Sequence, residues 1–299
     1  MDTQNEKWLK RARRKALRMQ RLMKFVFRHG LGGYHLSKAG RERSVDTRHG
    51  PVRVLEYGFE EKELRPLYVD LHGGGFIMMQ ADADEAMNLE FVRRAGVKVI
   101  SIDYPKAPQA PFPVAVEAVH DVIAHYLEHA QQYGIETAHM GIGGHSAGGN
   151  LATVTCLRDL ANGEFGFAYQ VMDYPVLDLA TPPEQKPRPK GCIDPKEAAM
   201  YNACYILPHQ AGTLSASPAL AEPGDLRGMP PALLLVCGGD SLHDEALHYA
   251  RSLRAAGVAV TVQEYPDQPH GFTYYKPNAD TRDAIERMAG FIAEHSHPV

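Results

Sequence analysis

Gly144-His145-Ser146-Ala147-Gly148-Gly149 stands between two segments of different periodicity. Upstream, residues 138 to 143 (Ala-His-Met-Gly-Ile-Gly) read as a short buried strand. Downstream, Asn150 to Leu160 places Leu151, Val154, Leu157 and Leu160 at helical spacing. A serine at the tip of a strand-to-helix turn takes a strained backbone. Small residues two before and two after it, here Gly144 and Gly148, let strand and helix pack closely. The hydroxyl of Ser146 is then exposed at the turn. Taken alone, Gly-X-Ser-X-Gly also describes an ordinary glycine-rich turn. A serine nucleophile further needs a base, an acid to orient that base and donors for an oxyanion, and the chain offers each, in the order Ser, Asp, His.

The donors are sought first. Pro66 introduces the apolar run Leu67 to Leu71, which leads into His72-Gly73-Gly74-Gly75-Phe76. Successive glycines after a strand leave backbone amides unshielded, as an oxyanion site requires; a loop without chemistry is the alternative. A phosphate loop is excluded, because no Lys-Ser/Thr follows and the Gly-X-Gly-X-X-Gly spacing is not met. The acid is sought after the strongly apolar strand Ala232 to Cys237, where Asp240, Asp244 and Glu245 compete. Asp240 is nearest the strand end, while Asp244 and Glu245 suit the first turn of a helix running to Ala256. The base is His270, in the loop after a last strand, Val258 to Tyr265. His125 and His129, four apart on a helix and without a third ligand in view, read as surface residues.

Between these points strands and helices alternate. An early strand, Val52 to Phe59, is expected at a sheet edge. A helix over 83–95, a strand Val97 to Ile102, a loop stiffened by Pro105, Pro108, Pro111 and Pro113, and a helix Val114 to Gln132 precede the serine. A strand Phe167 to Met172 follows it. The alternation predicts an α/β fold with a mostly parallel sheet flanked by helices, its chemistry gathered at the carboxyl ends of the strands. Residues 178–217 lose the rhythm, the first half broken by Pro182, Pro183, Pro187, Pro189 and Pro195 and followed by a short helix Lys196 to Ile206, and read as a cap insertion.

The 299 residues, 44% hydrophobic and 23% charged, suit one globular domain with a cap. No run approaches the ~18 to 20 apolar residues of a membrane span, and the N-terminus lacks a secretory core. Cys156, Cys192, Cys204 and Cys237 are widely spaced, so free thiols and a cytoplasmic location are expected. The net charge of −4 hides an asymmetry: residues 1–48 hold fourteen Lys or Arg against four Asp or Glu, leaving 18 against 32 in the rest. Glu6 to Arg28 forms a basic amphipathic helix, with Trp8, Leu9, Ala12, Ala16, Met19, Leu22, Met23, Val26 and Phe27 at helical steps. Membrane-surface and nucleic-acid roles are conceivable for such a helix. A cap over the pocket mouth is the preferred reading, with 1–48 as the cap helix region and 49–299 as the catalytic domain.

Together these motifs resemble the hormone-sensitive-lipase-like family of α/β-hydrolase esterases. The likeness runs from about residue 67 to 290. It includes His72 to Phe76, Asp103-Tyr104 to Phe112-Pro113, Gly144 to Gly149, Ser217-Pro218 with Ala221-Glu222, Gly239-Asp240 with Asp244-Glu245, and His270-Gly271-Phe272. The resemblance implies an α/β-hydrolase fold and a serine carboxylesterase acting on short- to medium-chain acyl esters. It implies Ser146 as nucleophile, Asp240 as acid and His270 as base, with the amides of Gly73, Gly74 and Ala147 as oxyanion hole. No cofactor or metal is implied. The partner is a small-molecule ester, with no nucleic acid and no membrane insertion; an exposed edge beside the last strand makes a homodimer reasonable. Alternatives are an acetylesterase for acetylated sugars, an amide or formamide hydrolase, and a ligand-binding relative without catalysis. His145 and Pro105-Lys106 depart from the family, which usually has Asp and an Arg-Leu-like pair there. Phe76, Met78, Met79 and Tyr205 are expected in the pocket wall.

Overall fold

The computed structural model describes residues 3–60, 63–274 and 277–297. One eight-stranded sheet forms its centre. The strands are β1 (Arg41–Thr47), β2 (Gly50–Tyr57), β3 (Arg65–Leu71), β4 (Lys98–Asp103), β5 (Ile135–His145), β6 (Tyr169–Asp173), β7 (Ala232–Gly239) and β8 (Val260–Pro269), in the order β1-β2-β4-β3-β5-β6-β7-β8. From β4 to β8 all neighbours are parallel; β1 pairs antiparallel with β2, and β2 with β4. The helices are α1 (Thr3–His29), α2 (Glu85–Ala95), α3 (Val114–Glu128), α4 (Ala130–Tyr133), α5 (Ala147–Asn162), α6 (Pro195–Tyr205), α7 (Pro208–Ala211), α8 (His243–Ala255) and α9 (Ala279–Ser296).

The parallel strands are apolar on both faces because helices cover both. In β7, Leu234 and Val236 join a core with residues of α3, α5 and α8, while Leu233, Leu235 and Cys237 face the opposite core with α2 and α9. This two-residue alternation places every strand's carboxyl end on one rim, where the loops after β3, β5, β7 and β8 meet. Among the described residues no helix is long and apolar enough to cross a membrane.

Several boundaries differ from the sequence reading. β1 falls in a stretch with no expected strand: Arg-Glu-Arg-Ser-Val-Asp-Thr buries only Val45, and charges are how an edge strand is kept from further pairing. β2 therefore lies second from the edge. The helix expected to reach Gln132 breaks at His129, whose backbone leaves the helical region before α4 begins. His125 and His129 are half-buried, with ring centroids 4.6 Å apart. α1 spans the expected basic helix and packs on α6; it buries Ala12, Ala16 and Phe27, the last against Tyr34, whereas Trp8 and Leu22 of the expected apolar stripe are exposed.

Glu56 fastens the antiparallel wing. Its buried carboxylate accepts from Arg41 Nε at 2.8 Å, Arg43 Nε at 2.5 Å and Tyr126 Oη at 2.8 Å, joining β1 and β2 to α3. Removing one member of a buried ionic cluster strands the remaining groups. Glu56→Ala should therefore cost about 3 to 5 kcal/mol in urea unfolding, whereas Arg41→Ala, whose side chain is 59% exposed, should cost no more than about 1 kcal/mol.

Candidate active site

The serine turn follows from a close approach of backbone to backbone. A Cβ on Gly148 would stand 1.8 Å from the Leu71 carbonyl oxygen, and one on Gly144 would stand 2.5 Å from the Gly148 carbonyl carbon. Only glycine fits either position. Ser146 is held at φ 53° and ψ −111°. Its N–H donates to the Asp173 carbonyl at 2.9 Å, and its carbonyl accepts from Val176 N and Asn150 N, both at 3.2 Å. The end of β6 thus grips the turn from both sides.

Ser146 Oγ lies 2.9 Å from His270 Nε2, and His270 Nδ1 lies 2.6 Å from Asp240 Oδ2. Leu242 N donates to the other oxygen of Asp240 at 3.1 Å. Of the three acids near 240–245, only Asp240 meets the imidazole. Asp244 pairs with His243 at the surface. Glu245 turns beneath the insertion, accepts from the amides of Leu177 and Asp178 at 2.7 and 3.0 Å, and pairs with Lys186. Burial works against a charged His270, but the Asp240 carboxylate outweighs it and holds the pKa above the ordinary histidine value.

At the glycine loop one amide of the expected oxyanion set already has a partner. Gly73 N donates to Tyr274 Oη at 2.9 Å and is thereby occupied. Gly74 and Gly75, not Gly73, line the cavity against Ser146, and neither amide has an acceptor among the described residues. Tyr274 is not singled out by the sequence; it sits half-buried four residues past His270 on the same turn, where its hydroxyl takes the Gly73 amide as partner. Ala147 opens α5, where the first amides have no intrahelical acceptor. Lys106, the departure in the proline loop, pairs with Asp103, whose other charged neighbours are His72 Nε2 at 3.5 Å and Arg53 Nη1 at 3.8 Å.

The cavity has two parts. A recess of about 40 Å³ is lined by Phe76, Ser146, Val176, Ile193, Ala198 and Leu242. A wider cleft of about 490 Å³ opens past Met78, Met79, Cys192, Glu197, Tyr201 and Tyr34. Phe76, Met78 and Met79 are wall residues as expected. Tyr205 instead stands behind the wall, stacked on Phe76 with centroids 3.8 Å apart and planes 1° apart.

His145 points away from the cavity into a buried charged cluster. Its Nδ1 lies 2.8 Å from Asp173 Oδ2 and its Nε2 3.7 Å from Asp70 Oδ1. Asn88 and Ser101 donate to Asp70, and Thr273 donates to Asp173 at 2.8 Å. Burial, followed by the Asp70 charge, pushes the Asp84 carboxyl well above the usual range. Burial disfavours the His145 charge, but Asp84, Asp173 and Asp70 outweigh it and raise the pKa to about 9. Asp70, Asp84 and His145 offer ligand atoms within 4.8 Å of one another. A protonated imidazole, however, has no lone pair to give a metal. This ring cannot serve as a second base for Ser146, and sequence alone could not show that buried acids from β3 and β6 would surround it.

A family model described as alpha/beta hydrolase fold matches residues 68–274. Carboxylic ester hydrolase LipN of Mycobacterium tuberculosis is 35% identical over 77% of this chain, a match spanning 63% of LipN. Ethyl acetate hydrolase of Pseudomonas putida is 31% identical over 77% of this chain and 74% of that protein. Among solved structures, the thermostable carboxylesterase EstE1 from a metagenomic library superposes with a TM-score of 0.80 at 26% identity, covering 97% of this chain and 98% of that one.

The His145 cluster makes stability depend on pH. The unfolded imidazole loses its proton near 6.5 and the folded one near 9, so its contribution is complete below about 6.5 and gone above about 9. Unfolding free energies measured across that window should fall by on the order of 3 kcal/mol, and His145→Gln should flatten that fall. Sequence motifs, sheet order and the grouping of Ser146, His270 and Asp240 on one rim converge with these comparisons: the chain belongs to the hormone-sensitive-lipase-like family of α/β-hydrolase carboxylic ester hydrolases.

Proposed function

We propose that the protein is a serine carboxylesterase selective for short acyl esters. Ser146 is the nucleophile, His270 the general base and acid, and Asp240 the carboxylate that orients the imidazole. The amides of Gly74, Gly75 and Ala147 are the oxyanion donors. The observation that carries this reading is the unbroken hydrogen-bonded line from Asp240 through His270 to Ser146, ending at the floor of the cavity.

In the first half-reaction His270 Nε2 takes the Ser146 proton as Oγ attacks the ester carbonyl carbon. The carbonyl electron pair moves onto oxygen, where the amides stabilise it, and collapse expels the alcohol with the proton returned by His270. Water then enters and gives a proton to the same nitrogen as its oxygen attacks the acyl carbon; collapse breaks the bond to Oγ, His270 returns the proton to Ser146, and the carboxylic acid leaves. Donors fixed in advance contribute on the order of 10² to 10³ each, because no solvent must reorganise when charge develops.

The recess supports a short acyl group. At about 40 Å³ against about 490 Å³ for the cleft, the recess favours a small acyl group, acetyl to butyryl, and leaves the wider cleft for the alcohol. The name of the Pseudomonas putida relative, ethyl acetate hydrolase, favours the same size. The division into a catalytic body and a cap is part of this proposal: Ile193, Glu197 and Tyr201 of the 178–217 insertion enclose the cavity, while α1 braces α6 from behind. Four free cysteines, three of them buried, support a reducing compartment such as the cytoplasm. β8 ends the sheet and is the edge on which a homodimer would pair.

With nitrophenyl esters from acetate to palmitate, turnover should peak between acetate and butyrate. Ser146→Ala should lower kcat by about four to six orders of magnitude, and Asp240→Asn by about 10⁴. A Ser146→Ala protein that kept wild-type turnover would overturn the assignment. Because the base must be neutral, kcat/KM should drop as pH falls through the His270 pKa, with the acid limb above the ordinary value of 6.5. Leu242→Ala should enlarge the recess and shift the preference towards longer acyl chains, read as the octanoate-to-acetate ratio of kcat/KM.

A further inference from the structure

The geometry points to the outward face of α1 as a docking surface for an anionic lipid membrane. α1 carries ten Lys or Arg against a single Glu. All ten are exposed, and none forms an ion pair among the described residues. The charge is therefore free to meet a partner, and it is local to this helix within a chain whose remainder is acidic.

The helix has two faces because two stripes of residues recur at three- and four-residue steps. One stripe, Ala12, Ala16 and Phe27, is buried against the body. The opposite stripe, Arg11, Arg14, Arg18, Leu22 and Phe25, faces solvent, and Leu22 and Phe25 are 60% and 53% exposed. Trp8 stands near it at the other end, 44% exposed. A folded body that leaves a tryptophan, a phenylalanine and a leucine in water among unpaired cations has placed together the two ingredients of interfacial binding. These are apolar side chains for the headgroup boundary and positive charge for anionic lipid.

A nucleic acid would reward the cations and leave Leu22 in water. A second copy of the chain offers acidic residues but no anionic plane along a helix of about 40 Å. The lipid surface satisfies both sets of groups at once. This inference stands apart from the esterase reading, since Arg11, Arg14, Arg18, Leu22 and Phe25 line no part of the Ser146 cavity.

The test is sedimentation of the full chain with vesicles of phosphatidylcholine alone and of phosphatidylcholine mixed with phosphatidylglycerol. Binding should require the anionic lipid and weaken as salt is raised. At about fivefold per surface charge, the Arg11→Glu, Arg14→Glu, Arg18→Glu triple variant should lose at least about a hundredfold in partitioning from the three cations removed, and more from the three anions added. Leu22→Ser with Phe25→Ser should lose about tenfold or more, with the melting midpoint and nitrophenyl acetate turnover unchanged. Equal binding to both vesicles, or binding to neither, overturns the proposal. It is also overturned by retention on RNA that ignores Leu22→Ser and Phe25→Ser, which assigns the face to nucleic acid. A concentration-dependent dimer dissolved by the triple charge reversal assigns it to a second copy.

Discussion

The contact on which the site depends is the one between the α5 backbone and the end of β3, where Gly148 lies against the Leu71 carbonyl with no room for a methyl group. That approach fixes the distance between the nucleophile turn and the glycine loop that follows β3. It also imposes the positive φ of Ser146, a conformation costing on the order of 1 to 3 kcal/mol for a non-glycine residue. The cost is offset by hydrogen bonds from the Ser146 amide and to its carbonyl, all drawn from the end of β6 and the start of α5. A hydroxyl held this way has little freedom, so the imidazole must be brought to it.

The imidazole is brought by a turn anchored twice. Asp240 holds His270 from the end of β7, and three residues later Thr273 donates to Asp173 in the buried cluster beneath the sheet rim. One more step places Tyr274 on the Gly73 amide. The His270–Tyr274 segment is therefore tied to β7, to β6 and to the glycine loop, and it orients that loop by occupying the first of its amides. Replacing a buried charged cluster with apolar side chains is often neutral or favourable for stability, so stability alone gives no reason for Asp70, Asp84, His145 and Asp173. Their arrangement instead joins the ends of β3, β5 and β6 to the base-bearing turn with directional bonds that apolar packing cannot supply.

How much of this was legible in the sequence follows the range of the interactions. Ser146, Asp240 and His270 could be placed because each follows a strand, and a parallel sheet brings strand ends to one rim regardless of the loops between them. Glycines that admit no Cβ were readable for the same local reason. β1 was not, because an edge strand needs neither apolar alternation nor long length, and Arg41 to Thr47 shows only Val45. The proposal of Gly75 in place of Gly73 as an oxyanion donor rests on a contact 201 residues away in sequence, that of the Gly73 amide with Tyr274, which no local motif announces. His145 read as an anomaly beside the nucleophile, and its role depended on carboxylates from β3, β6 and the turn before α2.

The insertion that shapes the cavity is held by a separate set of bonds. Glu245 accepts from Leu177 and Asp178 at the root of the 178–217 segment and pairs with Lys186 within it, while Asn150 donates to the carbonyls of Val176 and Ala216 at its two ends. Among the described residues none of these groups hydrogen-bonds to His270 or Asp240, although the Glu245 charge adds to the forces that raise the His270 pKa. The recess wall from the insertion, Ile193 and Ala198, is borne on a frame pinned at its base, whereas the reacting groups are pinned to the sheet. A change of side chain at Ile193 or Ala198 therefore alters the recess itself, while the hydrogen bonds among Ser146, His270 and Asp240 stay within residues that follow β5, β7 and β8. On the proposed esterase reading, selectivity and reactivity are carried largely by different anchors, the insertion bounding the recess and the sheet rim holding the hydrogen-bonded line.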